Sequence, residues 1–197
     1  MDVKRYNSVQ RWSSDLDGVF TITDLKVALD TNSEATLYRV IAEMTEREIL
    51  IKVKRGFYAT PQAKLTDISN RIDPTAYIST GTVLAKRGTI GSIPARRVQA
   101  VKVGRPRTYR CKIGVIEHLS ILPQLYFGFS TINGLLVSSL EKAFLDVCYF
   151  NFRGKRFSFD PQADVNIEDL DLDLIDRYLQ LYDVRFISYF NRIWREQ

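Results

Sequence analysis

The chain has 197 residues, 45% of them apolar and 26% charged, which is typical of a soluble globular protein and excludes a disordered chain. Its 28 Lys and Arg and its 23 Asp and Glu give a net charge of +5. Two cysteines (Cys111 and Cys148) and one histidine (His118) are too few for a disulfide scaffold, a cysteine-rich zinc site or a multi-histidine metal site. The length suits one domain or two small ones.

The N-terminal third is predicted to contain helices in close succession. A first helix is expected over residues 5–14 and a short strand over residues 19–21. A second helix is expected to begin at a Thr21 or Thr23 cap and to run through Leu29.

A third helix is predicted over residues 34–47, because its apolar residues recur at i, i+3, i+4 and i+7. These residues are Leu37, Val40, Ile41 and Met44. They are expected to face the core, which places Thr36, Tyr38 and Arg39 on the opposite, exposed face.

A hairpin is predicted next, with strands at residues 49–53 and 57–59. Its tight turn over residues 54–56 contains Gly56, which permits the positive φ that hairpin tips often need. Helix, helix, turn, helix and hairpin in this order are typical of a winged helix-turn-helix domain, which we assign to residues 1–60. Such a domain places a helix in the major groove and a basic hairpin on phosphates or in the minor groove.

Six DNA contacts are therefore predicted in this domain from geometry. They are Thr36, Tyr38 and Arg39 on the third helix, and Lys52, Lys54 and Arg55 on the hairpin. The zero net charge of residues 1–60 argues against DNA binding, although the hairpin itself is purely basic. The alternative is a protein–protein module, since helix-turn-helix domains serve both purposes.

The rest of the chain is predicted to be a linker at residues 61–72 and a mixed α/β domain at residues 73–197, making the whole an α+β protein. Asp73-Pro74 predicts a helix that continues to Arg87 and ends at Gly88. Residues 97–103 and 108–113 predict two paired strands joined by a turn at residues 104–107. Further strands are expected at residues 115–122, which include His118, and at residues 135–137.

Ser138 and Glu141 match a capping box that opens a helix over residues 139–149. This gives Glu141 a structural role, so we do not assign Glu141, Lys142 and Asp146 to a nuclease site. His118, without an obvious Asp or Ser partner, is also expected to be structural. The stretch of residues 167–194 predicts two helices broken near Asp183.

Charge is distributed unevenly along the chain. Residues 61–115 hold eleven basic and two acidic side chains, whereas residues 158–197 hold four basic and nine acidic ones. A basic block of this kind suggests a polyanionic partner, with nucleic acid first, so Arg105 and Arg107 at the predicted turn are added as DNA contacts. The alternative is that the basic segment pairs with the acidic residues 160–176. Those acids could equally complement helix dipoles or dock a basic partner.

Neither of the two best-known phosphate-binding glycine loops occurs, and no apolar run approaches the roughly 20 residues that a membrane-spanning helix needs. Residues 1–5 are not followed by the apolar core of a secretory signal. We therefore expect a cytoplasmic protein with no cofactor, no metal, no catalytic residues and no membrane contact.

Four motifs in fixed order carry a family resemblance. They are residues 54–58, residues 73–79 with Leu84 and Gly88, Ile93-Pro94 with residues 97–103, and residues 139–146. This set, which covers most of residues 5–150, resembles the AbiEi antitoxins of type IV toxin–antitoxin (abortive infection) systems. The last fifty residues match only loosely.

The resemblance implies a winged helix that represses its own operon and a C-terminal domain required for antitoxicity. The functional counterpart is then a toxin that resembles a nucleotidyltransferase, and double-stranded operator DNA is the direct partner. The alternatives are a nucleic-acid-processing enzyme with a winged-helix appendage and a protein-interaction adaptor. The lack of a metal or nucleophile constellation favours the DNA-binding regulator.

Overall fold

The computed structural model describes residues 3–91 and 95–195 of the chain. Ile93 and Pro94, which contribute to the family resemblance, lie outside the described residues. The protein is of the mixed α+β type, as predicted. It divides into two compact units, the first formed by Met1–Asp73 with Thr108–Ile116 and the second by Pro74–Arg107 with Glu117–Gln197.

The elements of both units are numbered in chain order. The helices are α1 Val3–Asp15, α2 Ile22–Ala28, α3 Glu34–Glu46, α4 Leu65–Ile72, α5 Gly81–Lys86, α6 Leu140–Phe152, α7 Leu172–Leu179 and α8 Val184–Trp194. The strands are β1 Val19–Thr21, β2 Ile51–Lys54, β3 Phe57–Ala59, β4 Tyr77–Ile78, β5 Arg97–Val103, β6 Arg107–Arg110, β7 Val115–Ile121, β8 Phe129–Ile132 and β9 Leu135–Ser138.

In the first unit, every element predicted for residues 1–60 is present within two residues of its expected bounds. The strands form an antiparallel sheet of order β1-β3-β2. The apolar stripe of α3 is buried as predicted, in one cluster with residues such as Phe20, Leu25 and Leu50. Burying this stripe fixes which face of α3 remains exposed.

Residues 61–72, where we expected a linker, contain α4. Its apolar residues Leu65, Ile68 and Ile72 follow helical spacing, and Ile68 is fully buried. Together with Val19 and Ala59 they belong to a second apolar cluster of the first unit. An amphipathic stripe of this kind gains free energy by burial, so the segment packs instead of linking.

The α2 N-terminus is closed by a reciprocal capping box, which confirms the Thr21 cap. The Thr21 hydroxyl accepts a hydrogen bond from the Asp24 amide at 3.2 Å, and the Asp24 carboxylate accepts one from the Thr21 amide at 2.7 Å. Arg71, at the end of α4, donates a further hydrogen bond to the same carboxylate at 2.8 Å. Partial burial raises the pKa of Asp24, but these hydrogen bonds outweigh burial and hold the pKa below its ordinary value of 3.8.

The second unit is built on strands β4 and β5, which are antiparallel, and on β9, which lies parallel to β4 and antiparallel to β8. The helix that we predicted from Pro74 to Arg87 is wrong. Tyr77 and Ile78 form β4 instead, and only Gly81–Lys86 is helical. Thr80 shows why, because its φ of 54° does not occur inside a right-handed helix. Pairing of β4 with β5 on one side and with β9 on the other overrides the local helical signal.

The predicted pairing of residues 97–103 with 108–113 is also wrong. The sheet order is β6-β7-β5-β4-β9-β8, so β7 lies between β5 and β6. The interior place suits β7 because Ile116, Leu119 and Ile121 are buried, whereas β6 is mostly exposed and stands at the edge. A strand that begins and ends with arginine is typical of an edge.

The predicted capping box of α6 is shifted by one residue. The N-cap is Ser139, whose hydroxyl accepts from the Lys142 amide at 3.1 Å, while Ser138 belongs to β9 and pairs with Phe129. Glu141 is therefore not a capping-box acceptor. The break near Asp183 is confirmed, since the Asp183 carboxylate caps α8 by accepting from the amides of Arg185 and Phe186.

The first prediction concerns Asp24. Replacing it with alanine removes the reciprocal cap and the partner of Arg71, so we expect a loss of about 1–2 kcal/mol in unfolding free energy at pH 7. Because the pKa of Asp24 is lowered by folding, its contribution is present above pH 3.8 and disappears as the pH falls through the folded-state pKa.

Denaturant unfolding of the wild type and of Asp24→Ala between pH 7 and pH 3 checks this. Glu46→Ala, at an exposed position at the end of α3, is the matched control and should change little. If the difference in unfolding free energy between the wild type and Asp24→Ala grows as the pH falls, the proposed stabilising role of the Asp24 carboxylate is wrong.

Candidate nucleic-acid interface and a buried ion pair

The exposed face of α3 carries the three residues predicted there. Tyr38 is 53% exposed, Arg39 is exposed and Thr36 is half-buried. The Thr36 amide donates to the hydroxyl of the N-cap Ser33 at 3.4 Å, which places Thr36 in the first turn. An aromatic ring, a guanidinium and a hydroxyl thus lie outside the core on one helix, and these are groups that can contact base edges and phosphates.

The β2–β3 hairpin carries the other three residues of the first unit. Lys52 and Arg55 are exposed, and Gly56 turns the chain at a φ of 79°. Lys54 is half-buried, with its Nζ 4.0 Å from the centroid of the Phe57 ring. This cation–π contact fixes the direction of the Lys54 ammonium.

The structure brings six of the eight predicted contact residues into one compact unit. Arg105 and Arg107 are exposed but belong to the second unit, in the segment Pro74–Arg107. The same unit boundary places Arg110 and Lys112 in the first unit, where sequence reasoning did not expect them. Apolar and basic side chains alternate over residues 109–113. This signal is equally compatible with the strand that the sequence predicts in the C-terminal domain.

Part of the basic block is neutralised within its own unit. Glu117 accepts hydrogen bonds from Gln99 at 2.9 Å, from Lys155 at 2.5 Å and from Arg97 at 3.4 Å. Burial raises the pKa of Glu117, but these donors outweigh burial and lower the pKa below its ordinary value. Lys112 pairs with Glu48 at 2.6 Å, and its hydrogen bond lowers the pKa of that carboxyl.

Acids of residues 160–176 are engaged in local structure. Asp171 caps α7 by accepting from the Leu174 amide at 2.9 Å, and the Asp164 carboxylate accepts from the Asp160 amide at 2.7 Å. Asp176 forms an ion pair with Arg195. Asp171 fits the expectation that these acids complement helix dipoles, whereas Asp164 closes a turn and Asp176 pairs with a cation.

The second unit contains a fully buried ion pair that sequence reasoning did not identify. Lys142 and Asp146 lie one turn apart on α6, both side chains have no exposed surface, and Lys142 Nζ is 2.5 Å from Asp146 Oδ1. The signal in the sequence was the i, i+4 spacing of opposite charges.

Side chains from three other segments complete this cluster. Tyr77 and Ser79 donate to the second oxygen of Asp146 at 2.9 and 2.7 Å, and Lys142 donates to the Tyr182 hydroxyl at 3.1 Å. The ring of Phe127 lies 4.6 Å from the Lys142 ammonium. Every partner is buried or half-buried, so the charges are compensated inside the protein.

Burial dominates the proton affinities in this cluster. It lowers the pKa of Lys142, although the Asp146 carboxylate opposes that change. It raises the pKa of Tyr77 and of Tyr182 far above the ordinary value, and the nearby Asp146 charge adds to the effect. Both tyrosines therefore remain neutral, so that Tyr77 donates to Asp146 and Tyr182 accepts from Lys142. The cluster joins β4 and α6 to the connection between α7 and α8.

The second prediction compares the loss of Asp146 with the loss of Lys142. Asp146→Ala leaves a buried ammonium without its counter-ion, so we expect a loss of about 3–5 kcal/mol in unfolding free energy. Lys142→Met keeps the shape of the stem and leaves Asp146 with two donors, so its loss should be smaller. Denaturant titration of both variants measures which one loses more unfolding free energy. Equal losses below about 1 kcal/mol would show that the ion pair does not stabilise the second unit.

The sequence matches no protein-family model, and no curated protein is significantly similar to it.

Among residues 3–91 and 95–195, no helix is long and apolar enough to cross a membrane. Within the same described residues, no group of three or more His, Cys, Asp or Glu side chains is arranged to hold a metal ion.

Proposed function

We propose that the chain is a DNA-binding transcriptional regulator whose first unit is a winged helix-turn-helix domain. The observation that carries this proposal is the placement of the exposed face of α3 and the basic β2–β3 hairpin in one compact unit. The sheet order β1-β3-β2 supports it, because β1 anchors the returning strand of the hairpin to the helical core. The hairpin is thus a rigid projection and not a loose loop.

The two parts of this surface have different tasks in the proposal. Tyr38, Arg39 and Thr36 on α3 enter the major groove, where an arginine can form two hydrogen bonds to guanine. Lys52, Lys54 and Arg55 contact phosphates beside it, which positions the helix without reading sequence. Lys54 is pre-oriented by its contact with Phe57, so less conformational freedom is lost on binding.

The resemblance to the AbiEi antitoxins extends the proposal to the second unit. In this extension the DNA is the operator of the protein's own operon, and the protein acts in the cytoplasm as autorepressor and antitoxin. The second unit then counteracts a nucleotidyltransferase-like toxin. The buried hydrogen bond between Tyr77 of β4 and Asp146 of α6 supports a stable second unit in this proposal.

The third prediction tests DNA binding. We expect Lys54→Ala with Arg55→Ala to weaken binding to every duplex and to reduce the slope of log affinity against log salt by about one to two. We expect Arg39→Ala to reduce the preference for the upstream fragment of the protein's own gene by about 1–3 kcal/mol. Fluorescence anisotropy with that fragment and an unrelated duplex of equal length, at 50 to 200 mM salt, measures both effects.

Arg11→Ala is the matched control, since Arg11 is an exposed cation of the same unit on α1. It should leave affinity and preference unchanged. Failure of the wild-type chain to bind either duplex, or equal affinity of all variants, would refute the proposed function.

The fourth prediction separates regulation from antitoxicity. We expect the full chain to restore growth of cells that express a nucleotidyltransferase-like toxin encoded beside its gene. Lys54→Ala with Arg55→Ala should still restore growth from a constitutive promoter while failing to repress an operator-driven reporter. Loss of both activities in this variant, with unchanged protein level, would mean that the two functions share one surface.

A further inference from the structure

The first unit is completed by a segment that is distant in sequence. Residues 108–116 belong to it, and Ile116 is fully buried in the cluster that contains Val19, Val53 and Ala59. Tyr109, Cys111 and Ile113 pack against the same cluster as partly buried residues. The segment is therefore an integral part of the unit that holds α3 and the hairpin.

The strand and the turn of this segment determine where its cations lie. Tyr109 packs against the cluster, so the next side chain of β6, that of Arg110, faces away from it. Lys112 follows β6, in the turn between Cys111 and Gly114. Arg110 and Lys112 are exposed, as is Thr108. The turn that contains Lys112 is closed by reciprocal hydrogen bonds between the backbones of Cys111 and Gly114, at 3.0 and 3.1 Å. The backbone that carries Lys112 is therefore hydrogen-bonded.

Two contacts place this segment beside the proposed DNA-binding elements. The Lys54 Nζ lies 5.8 Å from the centroid of the Tyr109 ring, so the segment is next to the β2–β3 hairpin. Lys112 binds Glu48, which connects α3 to β2. The segment therefore lies beside the hairpin at Tyr109 and beside the residues that follow α3 at Lys112.

The two segments of the first unit differ in net charge. Residues 1–73 contain eleven basic and eleven acidic side chains, whereas residues 108–116 add Arg110 and Lys112 and no acid. The entire net positive charge of the first unit therefore comes from its second segment, residues 108–116. Neutralisation of phosphates supplies much of the affinity for duplex DNA. We therefore expect residues 1–73, which have no net charge, to bind DNA weakly without the cations of residues 108–116.

We propose that the DNA-binding surface is built from two chain segments, with Arg110 and Lys112 contacting the phosphates of the bound duplex beside the hairpin. This inference rests on the proposed function. Glu48 holds Lys112 in the free protein, and this exposed ion pair is weak enough for a phosphate to replace the carboxylate. The second segment therefore supplies affinity, and α3 supplies sequence preference.

The fifth prediction tests this surface in the full-length protein. We expect Arg110→Ala with Lys112→Ala to reduce the salt slope by about two and to weaken binding roughly tenfold or more at 0.1 M salt. The preference between the upstream fragment and an unrelated duplex should stay the same. Arg110→Lys with Lys112→Arg should bind like the wild type, and Glu48→Gln should bind about two- to fivefold more tightly because it removes a charge that repels phosphate.

The control is Arg156→Ala with Arg177→Ala, which removes two exposed cations of the second unit. It should leave the salt slope unchanged. Thermal unfolding should show the same midpoint for the variants at residues 48, 110, 112, 156 and 177, because these side chains are exposed. If Lys54→Ala with Arg55→Ala weakens binding and Arg110→Ala with Lys112→Ala does not, the second segment is not a DNA contact although the proposed function stands. If the wild type binds no duplex, both proposals fail.

Discussion

Burial of the Lys142 ammonium is the constraint on which the second unit depends. A buried charge is tolerated only with a counter-ion and satisfied hydrogen bonds, and the penalty for each unpaired ion is several kcal/mol. Asp146 must therefore lie one helical turn away, and β4 with the residue after it must place Tyr77 and Ser79 against the same carboxylate. Gly128 is required too, because a Cβ there would lie 3.0 Å from the Lys142 stem and its φ is 72°. One ion pair thus orders residues from four segments.

The first unit depends on apolar packing instead. Its two clusters bury the stripe of α3 and the inner faces of the sheet, of α4 and of the returning segment that ends at Ile116. Close packing restricts backbone freedom, so the backbones of α3 and the hairpin hold their exposed residues on an ordered framework. Preorganised groups lose less entropy on binding, which is the physical advantage of mounting a recognition surface on such a core.

The distribution of charge connects the fold with the proposed function. A basic block of eleven cations in residues 61–115 is divided by the fold, because the unit boundary passes between Arg107 and Thr108. Arg97 is neutralised within the second unit by Glu117, whereas Arg110 and Lys112 supplement a first segment without net charge. Charge counted along the chain therefore overstates the basicity of one unit and understates that of the other.

The sequence by itself determined those elements whose signal is local. The helical period of α3, the caps at Thr21 and Asp183 and the glycine turn of the hairpin depend on residues within one or two turns of each other, so each prediction was confirmed. Only the tertiary structure decided β4, the place of β7 and the membership of residues 108–116. These depend on partners far away in sequence, as when Tyr77 binds Asp146 across 69 residues. A local sequence pattern cannot predict such pairing, because the free energy that favours the pairing arises only when the distant segments pack together.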